Sequence, residues 1–120
     1  MYVTELIIFK PGSLEKIEKY ANNDGYDESF IESKYEINYP IETSYDWKEN
    51  LGECIKMDWG SYLYICDREI ILRMFEITNI KKLYNVVVYD NDMHIIKKAD
   101  EIFVSELPSW EKYGILQIEI

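Results

Sequence analysis

The sequence predicts an α+β fold: a single domain over residues 1–120, built mainly on an antiparallel sheet with one to three short helices. The chain has 120 residues, a length that suits one domain. Apolar and aromatic residues make up 48% of it, which is enough for a hydrophobic core. Short apolar runs separated by turn-forming residues dominate residues 53–120 and predict a meander of hairpins there.

The first elements are a strand, a helix and a stretch with a weaker pattern. Residues 2–9 are rich in β-branched, aromatic and aliphatic side chains and predict a strand, which Pro11-Gly12-Ser13 ends. Ser13 is also an N-cap candidate for a helix over 14–22. In residues 24–52 we expect only short elements: a helical turn around 29–33, a strand at 35–39 and a brief helix after Thr43.

The second half of the chain predicts two hairpins and a closing strand. The hairpins join 53–58 to 62–66 around Trp59-Gly60, and 85–89 to 93–97 around Asp90-Asn91-Asp92. Residues 99–107 fit no single pattern, and Pro108 breaks whatever precedes it. Residues 116–120 alternate between apolar and polar side chains, which predicts a strand with one buried face.

Residues 67–78 fit both a strand and a helix. A strand over 69–77 continues the meander after a turn at Asp67-Arg68. A helix with Asp67 as its N-cap places Ile70, Met74 and Ile77 at helical spacing. The period of such a short apolar run does not distinguish the two. We expect the strand.

The sequence predicts a cytoplasmic protein with reduced thiols. Residues 1–9 lack a basic leader and a small-residue cleavage site, and no apolar run approaches the ~20 residues of a membrane helix. In the first predicted hairpin Cys54 faces Ile65 and Cys66 faces Glu53, so the two sulfurs point to opposite faces. A register shifted by one residue would bring them together. We expect no disulfide.

Negative charge and aromatic rings are concentrated together in residues 24–53. The chain has 23 Asp and Glu against 13 Lys and Arg, a net charge of −10. Nine acidic residues against two lysines give this segment −7. It also holds six rings: Tyr26, Phe30, Tyr35, Tyr39, Tyr45 and Trp47. Rings can anchor a partner while carboxylates steer it and accept its hydrogen bonds.

The candidate partner-binding residues come from this segment and from the predicted tip at Trp59. They are Asp24, Tyr26, Asp27, Glu28, Glu32, Tyr45, Asp46, Trp47, Glu49 and Trp59. A solvating acidic surface over a small satellite core fits the same residues, because net charge by itself bears on solubility rather than on fold.

No motif for catalysis, a cofactor or a metal stands out. His94 is the only histidine, which excludes a histidine triad and a multi-histidine metal site. Cys54 and Cys66 lie in apolar, strand-like surroundings, where inert thiols are usual. The 90–92 tripeptide lacks the glycine and glutamate of an EF-hand loop, so a turn is the simpler interpretation. We expect no enzyme, no cofactor and no metal.

The leading functional hypothesis is a small acidic inhibitor of a basic protein, such as an immunity protein that neutralises a nuclease-type toxin. Strong negative charge argues against direct binding to nucleic acid or a membrane surface. One alternative is a phage-type nucleic-acid mimic that blocks a restriction or CRISPR effector. Another is a small-molecule sensor that uses Tyr62, Tyr64 and Phe75 as a pocket wall. Monomer and homodimer both remain open.

Overall fold

A computed structural model of the chain describes residues 3–12, 15, 31–37, 54–56 and 61–119. Within them it has seven strands and one α-helix. These are β1 (Val3–Pro11), β2 (Ile31–Ile37), β3 (Cys54–Lys56), β4 (Ser61–Asp67), α1 (Arg68–Ile77), β5 (Lys82–Tyr89), β6 (Ile95–Phe103) and β7 (Lys112–Glu119). A 3₁₀ helix, Val104–Glu106, follows β6. The prediction of an α+β fold on a mainly antiparallel sheet is confirmed.

The predicted helix over 14–22 falls outside the described residues, apart from Glu15, which is helical. The brief helix after Thr43 and the turn at Trp59-Gly60 also fall outside them. The strand predicted at 2–9 is confirmed as β1.

The described strands form one antiparallel sheet in the order β3-β4-β7-β1-β2-β5-β6. Only β3 with β4, β1 with β2, and β5 with β6 are neighbours in both sequence and space. β7 lies between β4 and β1, so it joins the two parts of the sheet. The other three of the six pairings, β1 with β7, β4 with β7 and β2 with β5, join strands that are distant in sequence, and such pairing gives no local sequence signal.

The sheet carries a buried cluster on each face. On one face α1 packs its buried residues Ile71, Met74 and Phe75 onto the larger cluster, which includes Ile8 and Tyr64. The smaller cluster, on the other face, consists of Ile7, Phe9, Ile31, Leu63 and Leu116. Burial on both faces explains why β1 reads as a continuous apolar run rather than an alternating one.

The strand expected over 69–77 is wrong, because Arg68–Ile77 is helix α1. Its buried residues recur at i, i+3 and i+4, which fits the helical period, while Arg73 and Glu76 stay exposed. Asp67 occupies the N-cap position but makes no side-chain cap bond, since its carboxylate pairs with Lys112. After the helix, Asn79 adopts φ 57°, a left-handed conformation that stops it.

The predicted register of the first hairpin is wrong by one residue. Cys54 pairs with Tyr64, not Ile65, so the prediction that the two sulfurs lie on opposite faces loses its basis. Cys66 is nevertheless a free, buried thiol. The predicted connection from β4 by a tight turn into a further strand is replaced by α1.

The predicted strand at the end of the chain is confirmed as β7, but the expectation of one buried face is wrong. Residues 113–117 are all buried, including Gln117, because β7 is an inner strand between the two clusters. The helical turn around 29–33 is also wrong from Ile31 onward, where β2 begins. The second predicted hairpin is confirmed: β5 and β6 pair around residues 90–94.

Candidate functional site: the hairpin end of the sheet

Two connections emerge from the same end of the sheet. The chain leaves β1 after Pro11 and enters β2 at Ile31, and these two residues face each other. β5 runs antiparallel to β2 and ends at Tyr89, opposite Lys34. The β1–β2 connection and the tip of the β5–β6 hairpin therefore share one end of the sheet, which we call the hairpin end. In sequence, Asp24 to Glu28 belong to this β1–β2 connection.

Glu32 is the one candidate residue that the described part of the chain contains. It is the second residue of β2, at the hairpin end, and its side chain is 44% exposed. Its carboxylate lies 3.4 Å from the ammonium of Lys10. An exposed pair of this kind contributes about 0–1 kcal/mol, so a cationic partner could displace the lysine at little cost.

The hairpin tip holds a second group of carboxylates in a fixed turn. Asp90 Oδ1 accepts hydrogen bonds from the backbone N–H of Asp92 and of His94, both at 2.9 Å. The backbone closes the turn with Asp90 N–H to the His94 carbonyl (2.9 Å) and Met93 N–H to the Asp90 carbonyl (3.0 Å). Met93 has φ 63°. The interpretation of this tripeptide as a turn is confirmed.

The same tip brings three potential metal ligands together. One ligand atom from each of Asp90, Asp92 and His94 lies within 4.8 Å of the others. One oxygen of Asp90 already serves the turn, and its other oxygen lies 3.9 Å from His94 Nδ1. The hydrogen bonds of the turn account for this grouping. Sequence reasoning noted the turn but included none of these three residues in the candidate site.

Within the acidic, aromatic segment, Lys34, Tyr35 and Glu36 of β2 are partly or largely buried. Tyr35 packs against the larger cluster and meets Trp110 edge-on, with 6.1 Å between ring centroids. Burial raises the pKa of the Tyr35 hydroxyl, and the nearby carboxylate of Glu106 raises it further. Glu36 and Lys34 form a largely buried ion pair at 2.8 Å. Tyr35 is therefore a partly buried ring on the sheet face that the larger cluster covers, and not a free anchor on the surface.

The other nine candidate residues lie outside the described residues, so the structure does not place them relative to Glu32. They are Asp24, Tyr26, Asp27, Glu28, Tyr45, Asp46, Trp47, Glu49 and Trp59.

Charge is divided unevenly between the described and the other residues. The described residues contain 14 acidic and 10 basic side chains, a net −4, out of −10 for the chain. The other residues contain 9 acidic and 3 basic side chains, a net −6. Three ion pairs neutralise part of the described surface, Lys10–Glu32, Lys82–Glu101 and Lys112–Asp67, and Lys34–Glu36 is a fourth, largely buried pair.

A shallow depression of about 360 Å³ lies at the opposite end of the sheet, between the end of α1 and the end of β6. Its lining is mainly apolar, with Leu72, Ile80 and Phe103 among its residues. Of the three residues expected to form the wall of a sensor pocket, Phe75 lines this depression, whereas Tyr64 is fully buried in the core. Its polar lining residues are Glu76, Asn79, Lys81 and Ser105.

Comparisons with protein-family models, with curated proteins and with solved structures gave no significant match. Among the described residues, no helix has the length and apolar content needed to cross a membrane.

Proposed function

We propose that this protein binds a basic protein and inhibits it, as an immunity protein inhibits a nuclease-type toxin in the cytoplasm. The uneven charge carries this proposal: residues 24–53 have nine acidic side chains against two basic ones, interleaved with six rings. A nuclease needs a basic cleft to hold phosphate groups, so an acidic surface can occupy that cleft in place of the substrate.

The hairpin end of the sheet is the place proposed for contact. It is where the β1–β2 connection meets β2, and it presents the exposed carboxylates of Glu32 and Asp92. Glu32 lies in a strand and Asp92 in a hydrogen-bonded turn, so the backbone at both residues is already ordered. Binding there therefore costs little additional conformational entropy. The free thiol of Cys66 fits the reducing cytoplasm that the proposal assumes.

The test begins with capture of the partner from the native host at low and at high salt. The captured protein is then purified, and its association rate is measured by stopped-flow fluorescence. We expect D27K/E28K and D46K/E49K each to slow association about 10-fold or more, because both remove steering charge. Both variants should also show a weaker dependence of the rate on ionic strength.

The matched control is E76K/E111K, which makes the same change in net charge at two exposed carboxylates outside residues 24–53. This variant should associate at nearly the rate of the unmodified protein. The proposal fails if the captured protein has no basic surface, or if the control slows association as much as the other two variants do. A restriction or CRISPR effector as the captured protein would instead support the nucleic-acid mimic.

A further inference from the structure

Strand β6 is an edge strand of the sheet that the described residues form. Among the strands that the structure describes, β6 has a neighbour on one side only, and that neighbour is β5. It is nine residues long, and only Ile102 among them is buried. The other edge strand, β3, has three residues. A long exposed edge presents unpaired backbone donors and acceptors that another strand can use.

The side chains of β6 form a pattern that complements its own reverse. Two isoleucines come first, then Lys97 and Lys98, then Ala99, then Asp100 and Glu101, and then Ile102 and Phe103. The apolar ends are unusually open to solvent, since Ile96 is 63% and Phe103 is 50% exposed. Charged residues that serve only to prevent an edge strand from pairing with another chain need no particular order along the strand. Exposed apolar residues at the ends of the strand do not prevent such pairing.

We propose that β6 pairs antiparallel with β6 of a second copy of this chain, about a two-fold axis near Ala99. The lysine pair of each strand then lies beside the acidic pair of the other, and the isoleucine pair of each lies beside Phe103 of the other. Opposite charges and apolar groups facing each other across strands stabilise such pairs, and the two-fold axis makes every contact twice.

Other arrangements of the same two strands set like charges together. Parallel pairing in register would put lysines beside lysines and carboxylates beside carboxylates, which is destabilising. Antiparallel pairing centred on Lys98 or on Asp100 would place that residue opposite its own copy. Side chains do not alternate strictly along β6, since Ala99 and Ile102 both pack against the larger cluster, opposite the part of β5 where Asn85 has φ 52°. The complementarity therefore lies between segments of β6 rather than between its individual side chains.

The test uses charge complementation and sedimentation velocity. The unmodified protein should form a dimer whose population rises with concentration. K97E/K98E makes the central charges of β6 all negative and D100K/E101K makes them all positive, so each variant should dimerise at least ~10-fold more weakly. An equal mixture of the two variants should recover the dimer, because every facing pair is again of opposite sign.

Two control variants change charge elsewhere. R73E and E76K alter exposed residues of α1 and should dimerise like the unmodified protein. Since Glu101 pairs with Lys82 at 3.4 Å, the single variants K98E and D100K repeat the complementation without touching that pair. Circular dichroism confirms that each variant is folded.

The proposal is overturned if the unmodified protein is still monomeric at about 1 mM, the concentration that corresponds to roughly −4 kcal/mol. It is also overturned if the folded charge variants dimerise as the unmodified protein does, or if the mixture stays monomeric. None of these measurements involves the basic partner, so this proposal and the proposed function can fail separately.

Discussion

Gly114 shows how one residue can set the spacing of two strands. It faces Phe9 across β7 and β1, and a Cβ atom added to it would lie 2.2 Å from two ring atoms of Phe9. The ring is fully buried, so it has no free space to enter. We expect Gly114→Ala to lower the free energy of unfolding by about 1–3 kcal/mol, measured by urea denaturation.

The double variant G114A/F9L identifies the cause of that loss. A leucine occupies less of the space above position 114, so the loss caused by G114A should be smaller in the F9L background than in the unmodified protein. Ser109→Ala, at an exposed position, should change stability by less than about 0.5 kcal/mol. An equal effect of G114A in both backgrounds would rule out the ring as the cause.

Cys66 should be chemically inert while the protein is folded. Burial raises the pKa of its thiol to about 12, and the carboxylate of Asp67 adds to the shift. In a C54S variant, where Cys66 is the only cysteine, iodoacetamide should react at pH 8 more than about 100-fold faster in urea than in the folded protein. Similar rates in both states would contradict this burial.

The same pKa predicts how stability depends on pH. The unfolded thiol loses its proton near its ordinary pKa of 9.0, whereas the folded thiol keeps it until about 12. Between these values the unfolded state binds fewer protons, so the contribution of Cys66 to stability is complete below pH 9 and falls as the pH rises towards 12. A C66A variant removes this contribution.

At the scale of the element, the β5–β6 hairpin depends on a single carboxylate. Asp90 Oδ1 accepts two backbone hydrogen bonds within the turn. Asp90→Ala should therefore destabilise the hairpin by about 1–2 kcal/mol, seen as faster amide hydrogen exchange in β5 and β6. Asp90→Asn keeps the acceptor oxygen and should retain most of the protection. An equal loss in both variants would show that charge, not the hydrogen bonds, holds the turn.

Local signals decided which elements the sequence predicted correctly. Asp90-Asn91-Asp92 lies between two apolar runs, and the hairpin pairs residues that are close in sequence, so it was predictable. Residues 68–77 were not, because the choice between helix and strand depends on the sheet face onto which Ile71, Met74 and Phe75 pack. That face is assembled from strands that are distant in the chain.

For the candidate site too, the sequence indicates the position of some residues and not of others. Glu32 was predicted on the surface from charge pattern and lies there. Tyr35, three residues later, belongs to the same acidic, aromatic segment but packs partly buried against the larger cluster. Its burial follows from the position of β2 between β1 and β5, and neither its charge environment nor its spacing in the sequence indicates that position. The sequence analysis did not include Asp92 in the candidate site, because a turn motif does not predict which surface the turn joins.

For the whole molecule, the two proposals occupy different parts of the sheet. β6 runs away from the hairpin end, so in the proposed antiparallel dimer the two hairpin ends point in opposite directions. Each hairpin end would then be open to its own basic partner. The complex expected from both proposals together contains two inhibitor chains and two partner molecules.

The central position of β7 also affects how the protein forms during synthesis. Among the described strands, backbone pairing connects β3 and β4 to β1, β2, β5 and β6 only through β7, which is the last of them in chain order. Before Lys112–Glu119 has been synthesised, the described strands can pair only as two separate groups, β3 with β4, and β1, β2, β5 and β6 together. We therefore expect the sheet to be completed only when β7 inserts between β4 and β1, and an incomplete chain would expose apolar surface to which chaperones bind.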